Sequence, residues 1–236
     1  MIFGTLYLIP TPLAQGALNQ TLPDSTRSII PQLRCFVVEE LPTARRFLSA
    51  SGLKGQIDDL HLCVLNEHTK PQEFDSMLHP LLKGHDVGLL SEAGLPAVAD
   101  PGATLVALAH QKGIKVVPLI GPSSLMLALM ASGLNGQSFA FAGYLPVQPQ
   151  ERKDKISALE KRSKLENQTQ IFIETPYRNR SLFEALIAVC APQTFLCIAA
   201  NLTAPDAFVA TQTIAQWRRA PAPPIHKIPA VFVIQG

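Results

Sequence analysis

Over the first 120 residues, short apolar runs alternate with stretches of helical spacing. The runs at 4–9, 35–38, 60–65, 87–90 and 115–120 are continuous rather than alternating, which predicts strands buried on both faces of a parallel sheet. Between them, helical spacing is weak over 25–33, where Pro31 interrupts it. It strengthens after Thr43, the expected cap of a helix with Phe47 and Leu48 on its apolar face, and again over 72–82 and from Leu105 onward. Strands alternating with helices at this spacing predict an α/β domain, a parallel sheet with helices on both faces.

The pattern changes after Gly121-Pro122-Ser123-Ser124, which reads as a hinge. An apolar helix over 125–132 precedes a strand at 139–144, a charged helix at 150–164 and a strand at 170–173. A helix carrying Leu182, Phe183, Leu186 and Ile187 follows. Strands at 195–199 and 208–211 flank the polar loop 201–206, and the Pro-rich stretch 220–229 leads into a last strand at 230–234. Consecutive short strands predict a mixed sheet. The expected organisation is two α/β domains, residues 1–120 and 121–236, with a ligand cleft between them.

The most informative stretch is residues 86–102, DVGLLSEAGLPAVADPG. A buried strand breaks abruptly into Ser91-Glu92-Ala93-Gly94, then Pro96 and Pro101-Gly102, and feeds a helix. Such a loop places bare backbone amides at the carboxyl end of a parallel sheet, where open α/β sheets bind ligands. An ordinary strand–loop–helix connection is the alternative. The other polar loops also fall at strand ends: Pro10–Leu13, Glu39–Thr43, Asn66–Lys70, Glu174–Arg178, Asn201–Thr203 and Pro229-Ala230.

Composition narrows the chemistry. With 47% hydrophobic and 16% charged residues the chain has ample material for cores. No apolar run reaches the ~20 residues of a membrane span, and the apolar N-terminus reads as a first strand rather than a signal peptide. Cys35, Cys63, Cys190 and Cys197 form no CxxC pair or zinc spacing, so no zinc site is indicated and reduced thiols in a cytoplasmic protein are expected. Residues 1–120 carry 9 Lys/Arg and 11 Asp/Glu, whereas residues 121–236 carry 11 and 7. A mildly basic second half suits an anionic partner or simply a solvated surface. There is no GxGxxG, GxxxxGK[ST] or GxSxG motif, so nicotinamide, triphosphate and serine-hydrolase readings have no support. His68 beside Glu67 reads as a base, a ligand or a surface histidine.

The ordered motifs carry a resemblance. Leu6-Tyr7-Leu8-Ile9-Pro10-Thr11-Pro12-Leu13 resembles the opening of the tetrapyrrole-methylase superfamily of S-adenosylmethionine-dependent methyltransferases. The nearest branch is the small-subunit ribosomal RNA cytidine 2′-O-methyltransferases. Its later motifs appear as Glu39-Glu40-Leu41-Pro42-Thr43-Ala44-Arg45-Arg46, Asn66-Glu67-His68-Thr69, Ser91-Glu92-Ala93-Gly94-Leu95-Pro96 with Ala99-Asp100-Pro101-Gly102, and Gly121-Pro122-Ser123-Ser124. Further on come Phe141-Ala142-Gly143-Tyr144-Leu145-Pro146 and Glu174-Thr175-Pro176-Tyr177-Arg178. Departures are Ala200-Asn201-Leu202-Thr203-Ala204 for Arg-Glu-Leu-Thr-Lys, Glu92 for aspartate, Ala14-Gln15 for Gly-Asn, and the lack of that branch's C-terminal extension.

The resemblance implies a homodimer binding S-adenosylmethionine and acting on the ribose 2′-O of ribosomal RNA. Cofactor contacts would come from Pro12, Ala93, Gly94, Leu95, Thr175, Leu202, Pro229 and Ala230, with hydroxyls from Ser123 and Ser124. Arg45, Arg46, Arg178 and the 152–164 helix would meet RNA phosphates, and Glu92, Glu40 or Glu174 would serve as the base. The alternatives are a methyltransferase for a tetrapyrrole or other small molecule, and a non-catalytic binding protein that retains the fold.

Overall fold

The computed structural model describes every residue except Met1, Gln15 and Ala17, so the Ala14-Gln15 departure lies partly outside the described residues. The chain divides into two compact units, Met1–Ser123 and Ser124–Gly236, against a boundary at residue 120 expected from the sequence.

The first unit is built on five parallel strands, β1 Thr5–Ile9, β2 Cys35–Val38, β3 His61–Val64, β4 Val87–Leu90 and β5 Lys115–Pro118, in the order β3-β2-β4-β1-β5. Its helices are the short α1 Leu18–Thr21 and α2 Asp24–Arg27, then α3 Leu41–Leu48, α4 Phe74–Leu82 and α5 Gly102–Gln111. The strands are apolar on both sides because both sides are covered. Leu6, Val37, Val87 and Leu89 pack with Met77, Leu78, Leu81 of α4 and Leu105 of α5. On the other face Ile9, Phe36, Val38 and Leu90 pack with Ala44 and Leu48 of α3 and with Ile30, Leu33 and Leu53.

The weak helical spacing over 25–33 resolves into α2 and a single 3-10 turn at Ile30–Gln32, with Pro31 in its first turn. Thr43 does not cap α3. That helix begins at Leu41 after an extended Glu40 because Pro42, with its fixed φ, fits the first helical turn.

The second unit has a mixed sheet, in the order β6-β7-β10-β8-β9: β6 Phe139–Tyr144, β7 Thr169–Ile173, β8 Phe195–Ala200, β9 Phe208–Thr213 and β10 Ala230–Gln235. Only β6–β7 is parallel; the β7–β10, β10–β8 and β8–β9 ladders are antiparallel. One face (Phe172, Leu196, Ile198, Phe232, Ile234) packs against α7 Pro149–Glu166, α8 Asn179–Val189 and α9 Ile214–Trp217. The other (Ile171, Cys197, Ala199, Val231, Val233) packs against Leu125, Ala128 and Leu129 of α6 Ser124–Ser132. Among the described residues no helix is long and apolar enough to cross a membrane.

Candidate functional site

The carboxyl ends of β1, β2 and β4 meet at one rim of the first sheet, since β4 lies between the other two. There Thr11 and Gly94 form an isolated antiparallel bridge, Thr11 N to Gly94 O at 2.9 Å and Gly94 N to Thr11 O at 3.1 Å. Two buried hydroxyls reinforce it: Thr11 Oγ1 donates to Ser91 O and Ser91 Oγ to Gly94 O, both at 3.3 Å. Gly94 takes φ +82°, and a Cβ there would lie 3.2 Å from Leu13 Cδ2. The glycine meets both a backbone requirement and a packing requirement.

Beyond Gly94 the loop is held by a carboxylate that the sequence pattern did not single out. Asp100 Oδ1 accepts from Ala97 N at 3.1 Å and Gly102 N at 2.7 Å. It thereby secures Ala97 and Ala99 at φ 65° and 57° and satisfies the first amide of α5. An Asp directly before Pro-Gly and a helix is the signal that could have found it.

Glu92 does not brace this turn. Its carboxylate accepts from the Thr43 hydroxyl and the Glu40 amide, tying the end of β4 to the start of α3. Glu39 Oε2 in turn accepts from Glu92 N at 3.4 Å. Burial raises the pKa values of Glu39, Glu92 and Asp100 above the ordinary carboxylate range. Asp100, Glu92 and Glu40 push Glu39 further up, whereas Thr43 and Arg46 partly counter the rise at Glu92. Glu40 itself is exposed. Among the described residues no group of three His, Cys, Asp or Glu is disposed to hold a metal ion.

A cavity of about 570 Å³ opens at this rim between the Thr11–Ala14 loop, α3 and the Ser91–Ala93 turn. That size lies within the roughly 300–1,000 Å³ of small-molecule sites. Thr43, Arg46 and Phe47 line it from α3, Thr11 and Pro12 from the end of β1, and Glu92 and Ala93 from the end of β4. Arg46 Nη2 lies 3.4 Å from Thr43 Oγ1, and Arg45 faces Asp58 at 3.9 Å on the exposed side.

In the second unit, strand pairing brings Thr175, Leu202, Pro229 and Ala230 to one end of the sheet. Val231 pairs with Ile173, Ala230 with Ala200, and Asn201 N donates to Pro229 O at 2.9 Å. Asn201 and Thr203, flanking Leu202, hold positive φ values of 51° and 70°, and Thr203 Oγ1 is buried without a partner. Ser124 opens α6, and Ser123 closes the first unit.

Glu174 is buried: its Oε1 accepts from Thr175 N at 2.7 Å and from Arg178 Nε and Nη2 at 2.9 and 2.6 Å. Its Oε2 is buried without a partner. Arg178 is thus committed to Glu174. Arg152 is turned inward, binding Pro146 O, Val147 O and Ser181 Oγ, so the 152–164 helix does not present that cation to solvent. His68 is an exposed neighbour of Glu67 at 3.6 Å. Cys190 and Cys197 are buried, Cys35 and Cys63 half-buried, and all four are free.

Residues 56–217 match the family of Tetrapyrrole (Corrin/Porphyrin) Methylases. The chain belongs to that family. Its sequence is 33% identical over 199 residues to the Ribosomal RNA small subunit methyltransferase I of Vibrio cholerae, covering 84% of this chain and 65% of that protein. The Escherichia coli O157:H7 protein of the same name is 31% identical over 200 residues, covering 85% and 66%. The chain therefore spans just under two thirds of the length of these relatives. Its fold is that of the methyltransferase CobJ, with a TM-score of 0.66 at 14% identity, covering 100% of this chain and 95% of the other. The parallel first sheet and mixed second sheet thus form a fold already seen in a solved methyltransferase structure.

Proposed function

We propose that the protein is an S-adenosylmethionine-dependent methyltransferase acting on the ribose 2′-O of small-subunit ribosomal RNA. The observation that carries this reading is the Thr11–Gly94 bridge. It exposes backbone at Pro12 and Ala93 at the carboxyl rim of a parallel sheet, within a family whose relatives are named as ribosomal RNA methyltransferases. The residues present fit a nucleoside-sized cofactor. Gly94 leaves a cradle that a Cβ would crowd against Leu13. Pro12, Ala93, Gly94, Leu95 and Ser123 would contribute from the first unit.

S-adenosylmethionine would supply a methyl carbon already activated on a sulfonium. The chain's part would be to hold the ribose oxygen in line with that carbon and to take up its proton at a carboxylate. Positioning of such an in-line displacement can supply ~7–11 kcal/mol. Of the three candidate bases, Glu92 is the one that lines the cavity, and its raised pKa brings it nearer the operating pH. Glu40 holds Glu92 through its amide, and Glu174 positions Arg178 and the Thr175 loop.

A homodimer is part of the reading. Phe139 and Phe141 on the edge strand β6, Val209 on β9 and Met130 on α6 are exposed hydrophobics of the second unit. Phe141 and Val209 pair with Ile171 and Ala199, so they lie on the sheet face that packs against α6. A second copy would remove this apolar surface from water.

S-adenosylhomocysteine at 100 times its Kd should stabilise the folded protein by about 2.7 kcal/mol, seen as a raised Tm. No shift at millimolar ligand would contradict the assignment.

A further inference from the structure

We infer that the cavity beside the Thr11–Gly94 bridge receives one unstacked nucleobase of the acceptor RNA, with Phe47 as the stacking wall. The inference rests on the methyltransferase reading above and names what enters the site along with the cofactor. Of the positions assigned to the cofactor, only Pro12 and Ala93 line this cavity; Gly94, Leu95 and Ser123 do not. The space therefore adjoins the cofactor backbone rather than containing it, as the acceptor of an in-line transfer requires.

The chemistry of its walls is divided. Thr43, Phe47 and Ala50 recur at helical spacing and present one face of α3 and its continuation to the cavity. Phe47 is half-buried, its inner side packed on the Ile9–Phe36 core and the rest lining the cavity. Leu18 and Leu90 extend the apolar surface. The polar groups sit together on one side: the Thr43 hydroxyl, the Arg46 guanidinium and the Glu92 carboxylate, linked through Thr43. An apolar wall with one aromatic ring, and with the Arg46 donor and the Glu92 acceptor gathered at one edge, suits a planar heteroaromatic ring carrying both donors and acceptors on its rim. RNA-modifying and RNA-reading proteins take bases out of the stack in this way, onto aromatic side chains with the base edge hydrogen-bonded. Arg46, exposed at the mouth, then lies where the strand's phosphates leave the site. The base in the cavity sets the ribose at its mouth, near Pro12, Ala93 and Glu92.

The test is NMR on protein with ring-labelled phenylalanine, the Phe47 signal being identified by its loss in Phe47→Leu. AMP, CMP, GMP, UMP and ribose 5-phosphate are titrated singly, with and without S-adenosylhomocysteine. At least one nucleotide should move the Phe47 ring signal, and ribose 5-phosphate should not. Phe47→Leu keeps apolar volume and should weaken that nucleotide by roughly 5–150-fold, the range that base stacking on an aromatic ring supplies. S-adenosylhomocysteine affinity should be unchanged in the same variant. The proposal is overturned if no nucleotide reaches Phe47 while S-adenosylhomocysteine binds, or if ribose 5-phosphate acts equally. Displacement of the nucleotide by S-adenosylhomocysteine would also overturn it, by assigning the cavity to the cofactor. Failure of S-adenosylhomocysteine to bind at all strikes the methyltransferase reading instead, and nucleotide titration alone still reads the cavity.

Discussion

Thr11 and Gly94 exchange both backbone hydrogen bonds, at 2.9 and 3.1 Å, although 83 positions separate them in the chain. This single pair fixes the β1 and β4 loops against each other, and the proposed cofactor backbone is built on it.

Gly94→Val should therefore separate folding from binding. A left-handed backbone costs an L-residue roughly 1–2 kcal/mol, and more when β-branched, and the new side chain meets Leu13. The sheet lies outside this loop, so the variant should fold with a modest fall in Tm. The thermal shift with S-adenosylhomocysteine should vanish. A Gly94→Val protein that binds the ligand normally would remove this loop from the site.

Glu92→Gln and Asp100→Asn should behave oppositely. The first keeps shape and removes basicity, so cofactor affinity should persist while kcat falls by ~10²–10⁴-fold. The second weakens the acceptor for Ala97 N and Gly102 N, so Tm and S-adenosylhomocysteine affinity should fall together. Calorimetry and single-turnover rates on both variants check the assignment; equal losses of affinity would make Glu92 a bracing residue.

Much of the architecture was legible, because β1, β2 and β4 are buried on both faces and so read as unbroken apolar runs. The site was legible only in part. Thr43 reads as a cap from its position, yet Pro42 fixes the helix start and frees the hydroxyl for Glu92. Glu39 and Glu40 are indistinguishable in sequence; β2 turns the first toward the end of β4 and leaves the second exposed. Arg178 and Arg152 look like cations for phosphate, but Arg178 is engaged by the buried Glu174 and Arg152 is itself buried, bound to Pro146 O and Val147 O. Charge is visible in a sequence and prior engagement is not.

Glu39 gives a pH test. Its folded pKa is raised from the ordinary 4.5, so its favourable contribution is full below that value and is lost as pH rises through the raised one. Glu39→Gln should raise Tm near neutral pH, and the gain should shrink as pH falls toward 4.5. Thermal melts of both proteins across that range check it. A gain independent of pH would assign the effect to packing.

Arg178→Met should be among the most damaging single changes outside the cores. It leaves the buried Glu174 carboxylate without its guanidinium, a loss of up to about 3–5 kcal/mol, moderated because Arg178 is itself partly exposed. The double variant with Glu174→Gln should recover part of that stability. No recovery in denaturant melts would show that the pair is not coupled.

For the dimer, Phe141→Asp with Met130→Glu should give a monomer in sedimentation velocity where the wild type is a dimer. A wild-type monomer at micromolar concentration would refute that part of the reading.

The central claim is tested most directly by incubating the protein with methyl-labelled S-adenosylmethionine and small-subunit ribosomal RNA, then hydrolysing the RNA in alkali. A 2′-O-methyl group removes the hydroxyl that attacks its own phosphodiester, so the label should be recovered in an alkali-resistant dinucleotide. Label in mononucleotides, or in no RNA at all while S-adenosylhomocysteine still binds, would contradict ribose methylation.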